Sequence, residues 1–190
     1  MDSSRRAIAA EILASAREHD ERQADRLDRF RNVEPQTAEL LNVLARATRA
    51  GEILEIGTSS GYSTIWLADS GGAVTSVDID AERTELARAN LARAGLAAEL
   101  RSEDAADTLA AAGDGAYDLI FLDSERPAYA GYWPDLLRVL RPDGGLLVVD
   151  NVISHAHEVA EITALVEAEP AVSSVLVEIG AGILLVTRGG

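Results

Sequence analysis

The chain has 190 residues, 47% of them hydrophobic and 26% charged, a balance that suits one globular domain with a sizeable core. It contains no cysteine, which excludes disulfides, thiolate zinc sites and cysteine nucleophiles, and all 17 basic residues are arginines, which excludes Schiff-base chemistry and a lysine general base. A net charge of -15 opposes binding to a phosphate backbone, so no nucleic-acid partner is expected.

No apolar stretch is long enough to cross a bilayer, and the first residues lack a signal-peptide pattern. The expected location is therefore the cytoplasm, with no membrane partner. Residues 3 to 31 read as a helix, with Ile8, Ile12, Leu13 and Ala16 at three- and four-residue spacing. Its second half, Glu18 to Arg31, is mostly charged and reads either as a solvated face or as a lid or dimer arm. Pro35 opens another helix whose face is Leu40, Leu41, Leu44 and Ala47.

From Gly51 onward short apolar runs alternate with amphipathic segments. Strands are predicted at Ile53-Ile56, Val74-Asp78, Ala98-Arg101, Asp118-Leu122 and Leu146-Val149, and helices near 61-69, 81-94, 105-112, 129-140 and 156-168. That alternation predicts an α/β fold with a parallel, doubly wound sheet. The tail differs: Val172-Ile179 and Ile183-Arg188 flank Gly180-Ala181-Gly182 and read as an antiparallel pair. No repeat or linker divides the chain, so 1-190 is read as a single domain, with a helical leader over 1-49 and a Rossmann-like core over 50-190.

Open parallel sheets bind ligands at the carboxyl ends of their strands. The first strand here runs into Glu55-Ile56-Gly57-Thr58-Ser59-Ser60-Gly61-Tyr62-Ser63, and the second ends in Val77-Asp78-Ile79-Asp80. Gly57 and Gly61 remove side chains where a ligand must approach the backbone, and Asp78 can accept both hydroxyls of a ribose. The spacing E-x-G-x-x-x-G lacks the middle glycine that a dinucleotide's pyrophosphate needs, which disfavours a nicotinamide-dependent dehydrogenase. Glu55 suits the ammonium end of an aminoacyl ligand such as S-adenosylmethionine (SAM) or its demethylated product S-adenosylhomocysteine (SAH).

Together with Phe121-Leu122-Asp123 and Val149-Asp150-Asn151-Val152, these segments resemble the bacterial O-methyltransferases related to caffeoyl-CoA and catechol O-methyltransferases. The resemblance runs from about Pro35 to the C-terminal hairpin. It implies the seven-stranded, mostly parallel methyltransferase sheet with an antiparallel last strand. It implies that Glu55, Gly57, Ser63, Asp78, Asp104 and Ala105 hold SAM, and Thr58, Gly61, Tyr62 and Asp123 are expected beside them. Asp104 reads equally well as a helix N-cap. It also implies a homodimer and a small-molecule acceptor.

Asp123, Asp150 and Asn151 form an oxygen-only set suited to Mg²⁺ or another divalent cation, the role those positions have in the resembled family. An Asx-turn at Asp150-Asn151, with Asp123 touching only the cofactor, is the alternative. Asp123, Arg126 and His155 are the candidate catalytic residues. Arg126 departs from the family pattern, which often has a lysine base there, because arginine stays protonated. It can pair with an acceptor oxyanion, a substrate carboxylate or a surface carboxylate. His155 and His157 could supply a base, or stand in solvent at a helix start. Tyr129, Tyr132 and Trp133 read either as core or as a wall for a planar acceptor. Methyl transfer without a metal, and SAM binding without catalysis, are the competing functions.

Overall fold

A computed structural model describes residues 1–189 of the chain. Within them seven strands form one sheet in the order β3-β2-β1-β4-β5-β7-β6. These are β1 (Glu52–Ile56), β2 (Ala73–Asp78), β3 (Glu99–Ser102), β4 (Leu119–Leu122), β5 (Leu146–Val149), β6 (Val172–Val177) and β7 (Ile183–Arg188). The first five are parallel, and β7 lies antiparallel between β5 and β6. The expected fold class is therefore the observed one, down to the antiparallel last strand.

The central strands read Glu52-Ile-Leu-Glu-Ile56, Leu119-Ile-Phe-Leu122 and Leu146-Leu-Val-Val149, and β4 and β5 are buried at every position. Such continuous apolar runs are required where helices cover both faces. Successive side chains go to opposite faces, so two cores result. Ile53, Leu119, Phe121 and Val148 face α1 (Ser3–Arg22), α2 (Pro35–Thr48), α3 (Tyr62–Ala68) and α4 (Ala81–Arg93). Leu54, Ile56, Ile120, Leu122 and Leu147 face α5 (Ala105–Ala111), α6 (Tyr129–Val139) and α7 (Ala160–Ala168).

Two elements depart from the sequence expectation. Helix α1 ends at Arg22, not near residue 31, and residues 23–34 cross the carboxyl end of the sheet as irregular chain. The charged run offers no apolar face to prolong the helix; Leu27 is mostly exposed. Asp20 also withdraws its side chain to accept hydrogen bonds from the Phe30 and Arg31 amides at 2.7 and 2.9 Å. Helix α7 starts at Ala160, because residues 152–158 form turns anchored by the bonds from the Val152, Ile153 and Ser154 amides to the Gly182 and Ala181 carbonyls.

The strand order reverses between β1 and β4, whose crossovers leave on opposite faces. A crevice opens there at the carboxyl ends of the strands. Phe121 is fully buried two residues before the crevice residue Asp123. Phe121→Ala should lower unfolding free energy by about 3–5 kcal/mol in urea titration, and a loss well under 1 kcal/mol would contradict the packing described.

Candidate cofactor and acceptor site

The chain leaves β1 through Gly57, whose φ is 107°; a Cβ there would stand 1.9 Å from the Asp123 carbonyl oxygen. Glycine alone tolerates both conditions. The Gly57 amide donates to the Val77 carbonyl and the Asp123 amide to the Ile56 carbonyl, each at 2.9 Å, so the tip of β1 is bonded to both neighbours. Ser59 is also left-handed, at φ 49°, and its amide donates to Asp78 Oδ2 at 2.9 Å. Asp78 Oδ1 accepts the Asp80 amide at 3.0 Å. The Asp78 carboxylate is thereby held at the crevice edge by two backbone donors.

The crevice is a cavity of about 380 Å³. Gly57, Ser63, Asp78, Asp104 and Ala105 line it, as do Asp123, Arg126, Asn151 and His155. Asp104 caps α5 by accepting the Ala106 amide at 2.9 Å, as one reading of it foresaw, and also lines the cavity. Other expected residues stand behind the wall. Thr58 bonds its hydroxyl to Ser76 at 2.6 Å, Gly61 lets α3 approach Ala87 on α4, and Tyr62 is buried in the core under α1 and α2. Their parts are to shape the turn and to pack.

Glu55 is completely buried on β1. Its Oε2 accepts hydrogen bonds from the Thr64 and Ser76 hydroxyls, while Oε1 has no partner among the described residues. Burial pushes its carboxyl up to about 7, against the pull of the surrounding hydroxyls. Two carboxylates mark the other end, a half-buried Asp123 and a buried Asp150. Asp123 is held well above the usual range by burial and by Asp150, and Asp150 is pushed up to about 6 by burial. Asp150 Oδ1 is buried without a partner among the described residues. Asn151, in left-handed backbone at φ 70°, donates its amide to Asp123 Oδ1 at 2.8 Å.

Among the described residues no three or more His, Cys, Asp or Glu side chains are grouped to hold a metal. The candidate set is therefore the two aspartates with the amide of Asn151. Arg126 is buried rather than on the surface, and its Nε pairs with Glu158 at 2.9 Å. His155 faces the cavity, with its ring lowered in pKa by burial and by Arg126, and its Nδ1 lies 2.8 Å from the Ser154 hydroxyl. His157 is exposed. Tyr132 reaches the cavity, Trp133 packs in the core, and the buried Tyr129 hydroxyl accepts the Ser124 amide at 3.1 Å.

The lid was one reading of Glu18 to Arg31, but the sequence did not single out which residues would line the cavity. Phe30, Arg31, Asn32 and Val33 line the cavity, because the segment after α1 passes over it. The signal available was Asn32-Val33-Glu34-Pro35, an extended approach to a helix-opening proline that cannot be helical itself.

The family model for O-methyltransferases matches residues 3–189. A catechol O-methyltransferase of Niastella koreensis is 37% identical over 130 residues, and one of Mycobacterium tuberculosis is 39% identical over 134 residues. These matches cover 64% and 68% of the chain but only 58% and 60% of those two proteins. The O-methyltransferase of Bacillus cereus, crystallised in complex with SAH, superposes with a TM-score of 0.80 at 27% identity; the match covers 100% of this chain and 92% of that one. With this fold, this crevice and a match over nearly its whole length, the chain belongs to the O-methyltransferase family.

Proposed function

We propose that the chain moves a methyl group from SAM to a hydroxyl of a small phenolic or catechol-like acceptor, with a divalent cation held by Asp123, Asp150 and Asn151. The observation that carries this reading is one crevice lined by Asp78 at the tip of β2 and by Asp123 and Asn151 after β4 and β5, with the buried Asp150 next to Asn151. Asp78, Ala105, Tyr132 and Ser63 line this crevice, which supports the ribose at Asp78, the base between Ala105 and Tyr132 and the aminoacyl end at Ser63, with Glu55 buried on β1 nearby.

The reaction closes a bond between the acceptor oxygen and the methyl carbon, breaks the carbon–sulfur bond and releases the hydroxyl proton. The crevice walls hold both partners in line and exclude water. Arg126 cannot remove that proton; its ion pair with Glu158 stiffens the acceptor wall instead. His155, favoured neutral, can accept it. The unpartnered Asp150 Oδ1 and two mutually adverse carboxylates fit a hard cation, which when bound supplies Lewis acidity that makes a hydroxyl more acidic.

A homodimer, a single-domain organisation and a cytoplasmic location complete the proposal. The exposed apolar Val175 and Leu176 on the edge strand β6 support the first, and the one continuous sheet supports the second. The lack of cysteine supports the third. No helix among the described residues is long and apolar enough to cross a membrane.

Incubation with SAM, catechol and Mg²⁺ should give methylated catechol and SAH by mass spectrometry, and a chelator should abolish it. Full turnover under chelation would remove the metal from the account. Asp150→Ala should cut the Mg²⁺-supported rate on the order of 100-fold while SAH binding persists.

The Glu55 carboxyl, raised to about 7, favours the folded free chain when protonated, so its contribution to stability is complete below about 4.5 and is lost as pH rises through 7. An ammonium ligand reverses the preference, since it needs the charged form. SAH affinity should therefore rise about tenfold from pH 6 to 8 in calorimetry. Glu55→Gln should bind weakly with no such slope; an equal slope in the variant would contradict this role.

A further inference from the structure

Arg31 is built into the reaction end of the crevice in a way that stability does not call for. Its backbone is left-handed, at φ 53°, a conformation that costs free energy in any residue with a Cβ. Two hydrogen bonds that the amides of Phe30 and Arg31 donate to the Asp20 carboxylate hold it there. The guanidinium lies on the cavity wall, pairs with Glu125 at 2.5 Å and leaves its Nε buried with no partner among the described residues. A buried donor left unpaired is costly and calls for an acceptor from elsewhere.

Its surroundings hold charges of both signs, with Asp123 on the same cavity wall. Arg26 pairs with the other oxygen of Glu125 at 2.9 Å, so one carboxylate serves two guanidinium groups. Arg126 lines the same end, with its own partner Glu158. Three guanidinium groups thus stand at this end with the carboxylates of Glu125, Glu158 and Asp123, in a chain whose net charge is -15. Guanidinium groups grip carboxylates through paired, charge-assisted hydrogen bonds, and they do so best where water is scarce.

The geometry points to an anionic acceptor: Arg31, assisted by Arg26, binds a carboxylate carried by the hydroxylated substrate. This rests on the methyl-transfer reading and narrows its substrate class. The carboxylate is assigned to the acceptor and not to the methionine part of SAM, because Glu125 lies two residues beyond Asp123 on the loop after β4. Arg31 is a specificity-determining residue, and Glu125 is its resting counter-ion, displaced or shared when the substrate enters.

The test is calorimetry of 3,4-dihydroxybenzoate and catechol against the full chain saturated with SAH, with SAH affinity measured in parallel. The wild type should bind the benzoate about tenfold or more tightly than catechol, the margin expected of a charge-assisted pair. Arg31→Gln should collapse that ratio toward one, and Glu125→Gln, which frees both arginines, should raise it. The opposite signs separate a binding role from a folding defect. Equal affinities in the wild type, an unchanged ratio in Arg31→Gln, or a loss confined to SAH affinity would each overturn the assignment. If SAH itself gives no heat, the cofactor reading fails separately, and the same comparison on the free chain still decides the role of Arg31.

Discussion

The site depends on how closely the tip of β1 approaches the start of the loop after β4. At Gly57 there is no room for a Cβ against the Asp123 carbonyl, and the two hydrogen bonds at 2.9 Å that flank this contact fix both strand ends. Every other feature is placed from there. The turn that follows swings Ser59 into the Asp78 carboxylate, and the register of β4 against β5 brings Asp150-Asn151 alongside Asp123. The cavity is the space that this clamp leaves between the helices on the two faces of the sheet.

Its chemistry follows from burial more than from any single charge. Glu55, Asp123 and Asp150 are acids withdrawn from water, and each is driven toward its neutral form for that reason first. Under the proposed function such groups exchange protons for cationic ligands, an ammonium at one end and a metal at the other. The absence of lysine means that every protein cation in the crevice is a guanidinium, permanently charged and suited to planar anions.

Much of this was legible in the sequence because it follows short-range rules. The alternation of apolar strands with helices set the sheet, and Gly57, Asp78, Asp123 and Asn151 announced themselves as strand-end residues. What escaped depends on contacts distant in sequence. The end of α1 at Arg22 is determined by an Asp20 side chain reaching ten residues on, which no periodicity reveals. Arg126 read equally as a partner for an acceptor oxyanion, a substrate carboxylate or a surface carboxylate, whereas the 3₁₀ turn at residues 126–128 buries it against Glu158, thirty-two positions away. Thr58, Gly61 and Tyr62 belong to a recognisable motif, yet they serve the turn's packing from behind. A motif marks a turn as a whole and does not say which of its side chains face the ligand.

The central claim is that the β1–β4 crevice is an adenosyl-amino-acid site with its reacting end at Asp123. A crystal structure of the chain with SAH tests it directly. The account predicts ribose hydroxyls on Asp78, the base beside Ala105, and the sulfur directed toward Asp123 and Asn151. SAH bound elsewhere, or in this crevice with its sulfur turned away from those two residues, would contradict it.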